Sequence, residues 1–163
     1  MNNALVHVRL GLALVLLTLL FGIAMGISFG INEEGYQQWI AQGIAAHPEL
    51  HDADSQDDIW RFAQRAHFHA TGIAAFSLGL ILVVVLSGMR AQFKKITSTL
   101  IGLSGFYALS WLSIFFLSPS MGREPAHSAL LPEILVFIGV GGLLLGLCIL
   151  IVHLIFNIWS EAK

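Results

Sequence analysis

The sequence predicts an all-α integral membrane protein whose four transmembrane helices form a bundle. Its composition, the clustering of its charges and the length of its apolar tracts all favour this fold class. Of the 163 residues, 56% are hydrophobic and 11% are charged, and the mean hydropathy is +0.80. In soluble domains about a quarter of the residues are charged. We therefore expect residues 1–163 to form a single transmembrane domain.

Four tracts are long enough to cross a bilayer, approximately residues 10–30, 68–89, 96–117 and 130–158. A helix needs about 20 apolar residues to cross about 30 Å of hydrocarbon. A continuous helix also pairs the backbone polar groups, for which lipid offers no partner. The first tract begins like a secretory signal, but its apolar run continues through FGIAMGISFG, so we expect a retained first helix.

The Lys and Arg residues predict the orientation. In a four-span arrangement five of them fall at the end that holds both termini and the turn between the second and third spans, and three fall at the other end. Because positive charges favour the cytoplasmic side, we expect both termini in the cytoplasm. The loops at 31–64 and 118–129 are then outside, and the expected location is a bacterial inner membrane.

The long outer loop, residues 31–64, has two predicted features. GYQQWIAQGIAAH (35–47) has apolar residues at helical spacing, which predicts a short interfacial helix with Trp39 at the level of the lipid headgroups. Ser55 followed by Asp58 is typical of a capping box and predicts that the second helix begins near residue 56. Arg61 and Arg65 are expected to pair with the acids Glu33 and Glu34, and binding of an anionic headgroup or a quinone is the alternative.

Glycines recur at short spacing in three of the spans. Glycine at every fourth position leaves a groove into which another helix packs closely. The pattern therefore indicates tight helix contacts, within one chain, in a homo-oligomer or in a larger membrane complex. The glycines concerned are Gly22, Gly26 and Gly30 in the first span, Gly102 and Gly105 in the third, and Gly142 and Gly146 in the fourth.

Two histidines mark the start of the second span in RAHFHATG (65–72). Residues two apart on a helix point about 200° from each other, so His67 and His69 cannot face one partner. The face of His69 continues through Gly72 and Gly79, which leave a trough for a flat ligand or a neighbouring helix. We expect His69 to face the bundle and His67 to lie at the interface.

These histidines suggest haem b as a cofactor. A bis-histidine haem needs imidazoles from two helices at similar depth, with small residues making room for the macrocycle. His69 with His127, or with His67 of a second copy, would serve at the outer side, and His7 with His153 at the inner side. HFHATGIAAFSLGLIL (67–82) resembles the start of a span in several haem- or metal-containing bacterial membrane proteins, but the ligands of a particular family are not carried over.

A metal site in the outer loop is the alternative. His47 and His51 are four residues apart, and Asp54, Asp58 and Glu133 would add carboxylate oxygens. Imidazole with carboxylate suits Cu, Zn or Fe. Cys148 is the only cysteine, so the sequence contains no CxxC motif.

The favoured function is a small membrane redox protein that binds haem b or a metal near its outer face and exchanges electrons with quinone. One alternative is an accessory subunit of a larger membrane complex, and another is a small oligomeric carrier or channel. The sequence has no P-loop and no basic patch for nucleic acid. The lipid bilayer is the expected partner, and the presence of a cofactor and an enzymatic activity are left open.

Overall fold

The structure, a computed structural model, describes residues 3–161, which form helices joined by short turns, with one isolated bridge between Met89 and Ser160. Four helical stretches are long and apolar enough to cross a membrane, in agreement with the four predicted tracts. The described α-helices are α1 (Arg9–Ala46), α2 (Ser55–Leu86), α3 (Ala91–Gly102), α4 (Phe106–Met121), α5 (Arg123–His127) and α6 (Leu130–Phe156), and 3-10 segments cover Asn3–Val8, Pro48–Leu50 and Leu103–Gly105.

Helix α1 contains both the first span and the segment that was expected to be a separate interfacial helix. The two parts meet at a kink at Asn32, where φ is −137° and ψ is 36°. The hydroxyls of Ser28 and Tyr36 lie 2.6 Å apart across the kink. Ile40 is fully buried, so the second part of α1 packs against protein. The predicted position of this part at the membrane surface stays a prediction.

Helix α2 begins at Ser55, one residue before the predicted start. The predicted capping box does not form, because Ser55 is the first helical residue instead of the N-cap. Its hydroxyl turns back to Asp52, donating to the carboxylate at 2.8 Å and accepting from the backbone N–H at 2.9 Å. Ser55 therefore stabilises the turn before the helix.

The third span runs from α3 through Leu103–Gly105 into α4 and contacts all three other spans. A Cβ at Gly105 would overlap Thr18 Oγ1 of α1, so the backbones approach closely at this 3-10 turn. On the other side, the buried hydroxyls of Ser104 and Ser77 of α2 are 3.1 Å apart. The third span is the centre of the fold, and among the described spans α6 packs mainly along it.

Most of the predicted glycine contacts are present. A Cβ at Gly22 or Gly26 of α1 would lie within 3 Å of α2 side chains, and Gly146 of α6 packs equally closely on Ile101 of α3. Gly30 differs, because no other atom of the described chain lies within 4 Å of its Cβ position. The trough along α2 at Gly72 and Gly79 is likewise open in the part of the chain that the structure describes.

The connections gather at two opposite ends of the fold. At the end that we call inner, the backbone N–H of Arg90 donates to Trp159 O and that of Glu161 to Gly88 O, both at 2.9 Å. The buried cluster there joins Val8, Met89 and Leu150. The outer end holds the α1–α2 and α4–α6 connections, residues 47–54 and 122–129.

Candidate functional site

The outer ends of α2, α4 and α5 meet around the indole of Trp111. The imidazole of His69 stacks on it at a centroid distance of 5.9 Å, and that of His127 meets it edge-on at 5.3 Å. The guanidinium of Arg65 lies 4.9 Å from the indole centroid, close enough for a cation–π interaction. We call the residues that share these contacts the Trp111 cluster: Phe62, Arg65, His69, Tyr107, Trp111 and His127.

Helical spacing places these side chains. Phe62, Arg65 and His69 are three and four residues apart on α2, and Tyr107 and Trp111 are four apart on α4, so each set lies on one face. His127 is the last residue of α5, the short helix that returns the chain toward α6. The cluster forms because α2 and α4 pack side by side. The sequence pattern does not predict that these two helices are neighbours.

His67 and His69 contact different helices. Because a carbonyl oxygen only accepts, His67 Nδ1 donates to Gly22 O of α1, at 2.8 Å. His67 therefore fills the notch at Gly26 and contacts protein as His69 does. Its predicted depth at the interface stays a prediction. His69 Nδ1 donates to Arg65 O at 2.7 Å, and its ring meets Tyr107 at 4.8 Å. This leaves Nε2 as the nitrogen of His69 that carries a lone pair.

A groove of about 550 Å³ lies beside the Trp111 cluster, between α4 and α6. Trp111 and His127 border it on one side, Glu133 of α6 on the other, and Ile114 and Phe137 add apolar surface. The indole N–H of Trp111 is buried and has no hydrogen-bond partner among residues 3–161. A buried donor that lacks an acceptor costs about 1–3 kcal/mol, so a ligand that supplied an acceptor here would gain affinity.

The pKa of His127 is lowered, first because its ring is desolvated against the neighbouring aromatic rings and second by the positive charge of Arg65. Both effects disfavour the imidazolium form. His127 is therefore neutral near pH 7 and carries a lone pair able to accept a proton.

The predicted haem ligands are only partly brought together. His69 and His127 share Trp111 as a neighbour. At the inner end His7 is exposed, whereas His153 is buried and donates from Nδ1 to Ile158 O. Within residues 3–161 no hydrogen bond or ring contact joins His7 to His153. Whether either pair binds haem stays a prediction.

The predicted metal ligands lie apart. His47 lies 3.9 Å from Glu49, and His51 Nε2 donates to Pro119 O at 3.1 Å. Within the described chain no group of three or more His, Cys, Asp or Glu side chains is placed to hold a metal ion. Asp58 binds arginines, Asp54 is exposed at the start of α2, and Glu133 borders the groove. The metal site stays a prediction.

Ion pairs connect the two outer loops. Arg123 binds both Asp52 and Asp58, and Arg61 binds Asp58 at 3.0 Å. The expected pairing of Arg61 and Arg65 with Glu33 and Glu34 is therefore wrong. Arg61 reaches Asp58, one helical turn away on the same helix, and Arg65 lies over aromatic rings.

The pKa of Asp52 is lowered, mainly by the hydrogen bond from Ser55 and also by the charge of Arg123, although desolvation raises it. The carboxylate is therefore ionised at neutral pH and holds Arg123 in place.

Sequence reasoning missed Trp111 as the centre of the site. Tyr107 and Trp111 are four residues apart in the sequence, a spacing that also fits ordinary packing between helices. No sequence signal pairs Trp111 with the Arg65–His69 face. No family model, curated protein or solved structure matches this chain, so the site itself carries the functional argument.

Proposed function

We propose that this chain is an integral membrane redox protein that binds a quinone in the groove between α4 and α6. The observation that carries the proposal is the buried indole N–H of Trp111, which lacks an acceptor in the described chain. A quinone carbonyl accepts hydrogen bonds and donates none, and its planar ring suits an aromatic wall. A small rotation of the indole toward the groove would present its N–H to that carbonyl.

The groove also has the mixture of surfaces that an amphiphilic ligand needs. Ligand sites are mostly apolar with a few converging polar groups, and here His127 and Glu133 supply the polar groups. The apolar surface of Val136 and Phe137 would contact the isoprenoid tail. Phe137 is 85% exposed, as expected of a side chain that faces lipid.

Proton exchange is the step that these residues would support. Oxidation of a quinol releases two protons and two electrons. Neutral His127 would accept one proton from a quinol hydroxyl, and the Glu133 carboxylate would accept the other. The two electrons would pass to a redox partner protein.

The haem alternative fits the arrangement less well. Two histidines that ligate one iron both present a ring nitrogen to it, with the macrocycle between them. The indole of Trp111 contacts both His69 and His127, so a macrocycle at this pair would require Trp111 to move. The smaller quinone ring would need only a rotation of the indole beside it, whereas the macrocycle would need the indole displaced from both imidazoles, which is why we favour the quinone.

Quinone titration of the purified protein in nanodiscs tests the proposal through tryptophan fluorescence. Short-chain ubiquinone and menaquinone analogues should quench part of the emission, and Trp111→Phe should remove that part. Trp159→Phe is the matched control, because Trp159 stacks on Phe93 at the inner end, 4.8 Å between centroids. Quenching that survives in Trp111→Phe, or that is lost equally in both variants, would exclude the groove as the quinone site.

Two further measurements in the same preparation distinguish proton transfer by His127 from quinone binding, and the quinone proposal from the haem alternative. His127→Gln should weaken quinol oxidation by an added electron acceptor more than it weakens quinone binding, because it removes a proton acceptor. A visible absorption spectrum should show a Soret band if haem b is bound, and loss of that band in His69→Ala would support the haem alternative over ours.

A further inference from the structure

A second cavity of about 550 Å³ lies at the outer end, bordered by Phe62 and Arg65 of the Trp111 cluster. It is bordered by the first turns of α2 and by the connection from α4 to α5. Three guanidinium groups line it, from Arg61 and Arg65 on α2 and from Arg123 on the connection. Phe62 and Leu50 contribute apolar surface beside them.

The three arginines differ in how far their charge is already neutralised. Arg123 is bound to Asp52 and Asp58, and Arg61 shares Asp58. Arg65 has no carboxylate within ion-pair distance in the described range 3–161, and its only described guanidinium contacts are the rings of Phe62 and Trp111. A guanidinium has five N–H donors, so Arg65 keeps all of them for a ligand, and the other two arginines keep several each.

We propose that this cavity binds a phosphate group through Arg65, with Arg61 and Arg123 completing the contact. Guanidinium groups match phosphate oxygens with paired, charge-assisted hydrogen bonds. The ion pairs of Arg123 fix its guanidinium in position before the ligand arrives. The stacking of Arg65 on Trp111 likewise fixes the guanidinium of Arg65, whose charge no carboxylate within residues 3–161 neutralises.

The surrounding acids do not prevent such binding. Nine of the ten Asp and Glu residues lie toward the outer end, and their summed charge opposes an approaching anion. Exposed charges more than about 8 Å apart are largely screened at physiological salt, whereas the arginine donors act at contact distance. Of the carboxylates that line the cavity, Asp58 is occupied by Arg61 and Arg123, and Glu124 is exposed.

The phosphate has two chemical sources. One is the headgroup of an anionic lipid such as phosphatidylglycerol, whose glycerol and upper acyl carbons would contact Phe62 and Leu50. The other is free phosphate or a soluble phosphate ester from the aqueous side. The cavity lies at the level where α2 leaves the predicted apolar tract, so both sources reach it.

Calorimetric titration of the detergent-solubilised protein tests the proposal with three probes: dihexanoyl phosphatidylglycerol, dihexanoyl phosphatidylcholine and inorganic phosphate. The phosphatidylglycerol analogue should bind more tightly than the phosphatidylcholine analogue. Arg65→Gln should weaken its binding by about tenfold or more, because a charge-assisted hydrogen bond is lost. Arg61→Gln should weaken it less, and Arg90→Gln, at the inner end, is the matched control and should change it little.

The outcomes distinguish a lipid headgroup from free phosphate as the ligand, and either of them from the absence of a phosphate site. Binding of both phosphatidylglycerol and inorganic phosphate, each lost in Arg65→Gln, supports a general phosphate site. Binding of phosphatidylglycerol alone, with the same dependence, supports a lipid headgroup site. Equal binding of both lipid analogues, no binding of any probe, or unchanged affinity in Arg65→Gln and Arg61→Gln would overturn the proposal. Arg61 lies outside the quinone groove, so quinone quenching in Arg61→Gln reports separately on the proposed redox function.

Discussion

His127 illustrates how the environment of one side chain sets its protonation. Its ring meets Phe62 at 5.2 Å and Trp111 at 5.3 Å, and Arg65 stacks on the same two aromatic residues. Desolvation first, and the charge of Arg65 second, lower its pKa from the usual 6.5. The imidazole is thereby kept ready to accept a proton near neutral pH, which the proposed quinol chemistry requires.

Replacing Arg65 with Gln should raise the pKa of His127 without restoring 6.5, because desolvation, the larger cause, is unchanged. Since the folded-state pKa is lowered, the stability linked to His127 is complete above pH 6.5 and is lost as the pH falls through the lowered pKa. NMR titration of ¹⁵N-labelled histidine would measure the shift. Arg90→Gln is the control, and a pKa that does not rise in Arg65→Gln would contradict the electrostatic part of the explanation.

Replacing Arg123 with Gln should disconnect the two outer loops. The expected loss is about 1 kcal/mol of unfolding free energy, in the upper range for partly exposed ion pairs, and it would be measured by urea denaturation in detergent. Arg61→Gln, which removes a more exposed partner of the same Asp58, should cost less. Equal losses would show that the link between the loops adds no stability.

The same link should weaken in acid. The pKa of Asp52 is lowered, first by the hydrogen bond from Ser55, with Arg123 also lowering it. Its contribution is therefore complete above the usual value of 3.8 and disappears as the pH falls through the lowered pKa. Asp52→Asn should remove this part of the acid dependence at constant ionic strength. If the acid dependence of Asp52→Asn equals that of the wild type, Asp52 is not its source.

Individual residues also show how far sequence reasoning reaches. The spacing of His67 and His69 correctly predicts opposite directions, because helix geometry alone determines it. The spacing does not predict which neighbouring helix each imidazole contacts. Helix α2 lies between α1 and α4, so both imidazoles contact protein, and the carbonyl that His67 binds belongs to a residue 45 positions earlier in the chain.

At the scale of elements, hydropathy located the four apolar tracts but not the breaks within them. The third tract looked continuous, yet the structure contains a 3-10 turn at Leu103–Gly105, where Thr18 of α1 crosses it. The kink at Asn32 likewise depends on packing, since Tyr36 beyond it reaches back to Ser28. The 3-10 turn lies at a contact between elements and the kink at a contact between residues eight positions apart in α1. Hydropathy along the chain records neither contact.

Glycine-to-alanine substitutions should separate packed from open helix faces. A Cβ at Gly11 would overlap the Ser98 carbonyl of α3, and backbone cannot move aside as a flexible side chain does. Gly11→Ala should therefore destabilise the fold by about 1–3 kcal/mol.

Gly79→Ala is the matched control for Gly11→Ala. It adds a methyl group to a helical position with open space around it in the described chain, and should leave stability equal or increase it by about 0.5–1 kcal/mol. Urea denaturation in the same detergent would compare the two variants. Equal stability of Gly11→Ala and Gly79→Ala would contradict the close approach of α1 and α3 at Gly11.

At the scale of the whole molecule, both proposed sites lie at one end. The quinone groove, the arginine-lined cavity and the ion pairs between the loops all lie at the outer end, with nine of the ten acids. The inner end instead carries Arg90, Lys94 and Lys95 beside the bridge to the C-terminal segment. Positive charges favour the cytoplasmic side, so we propose that ligands approach both sites from outside the cytoplasm.

Single-cysteine labelling tests this orientation in a Cys148→Ser background. Glu49 and Gln92 are both exposed, at the outer and inner ends respectively. In intact cells, a maleimide that does not cross membranes should label Glu49→Cys and leave Gln92→Cys unlabelled until the membrane is opened. The reverse pattern would invert the orientation and place both sites in the cytoplasm. Labelling of both positions in intact cells would contradict the four-span arrangement itself, because an odd number of crossings must separate residue 49 from residue 92 if α2 spans the membrane.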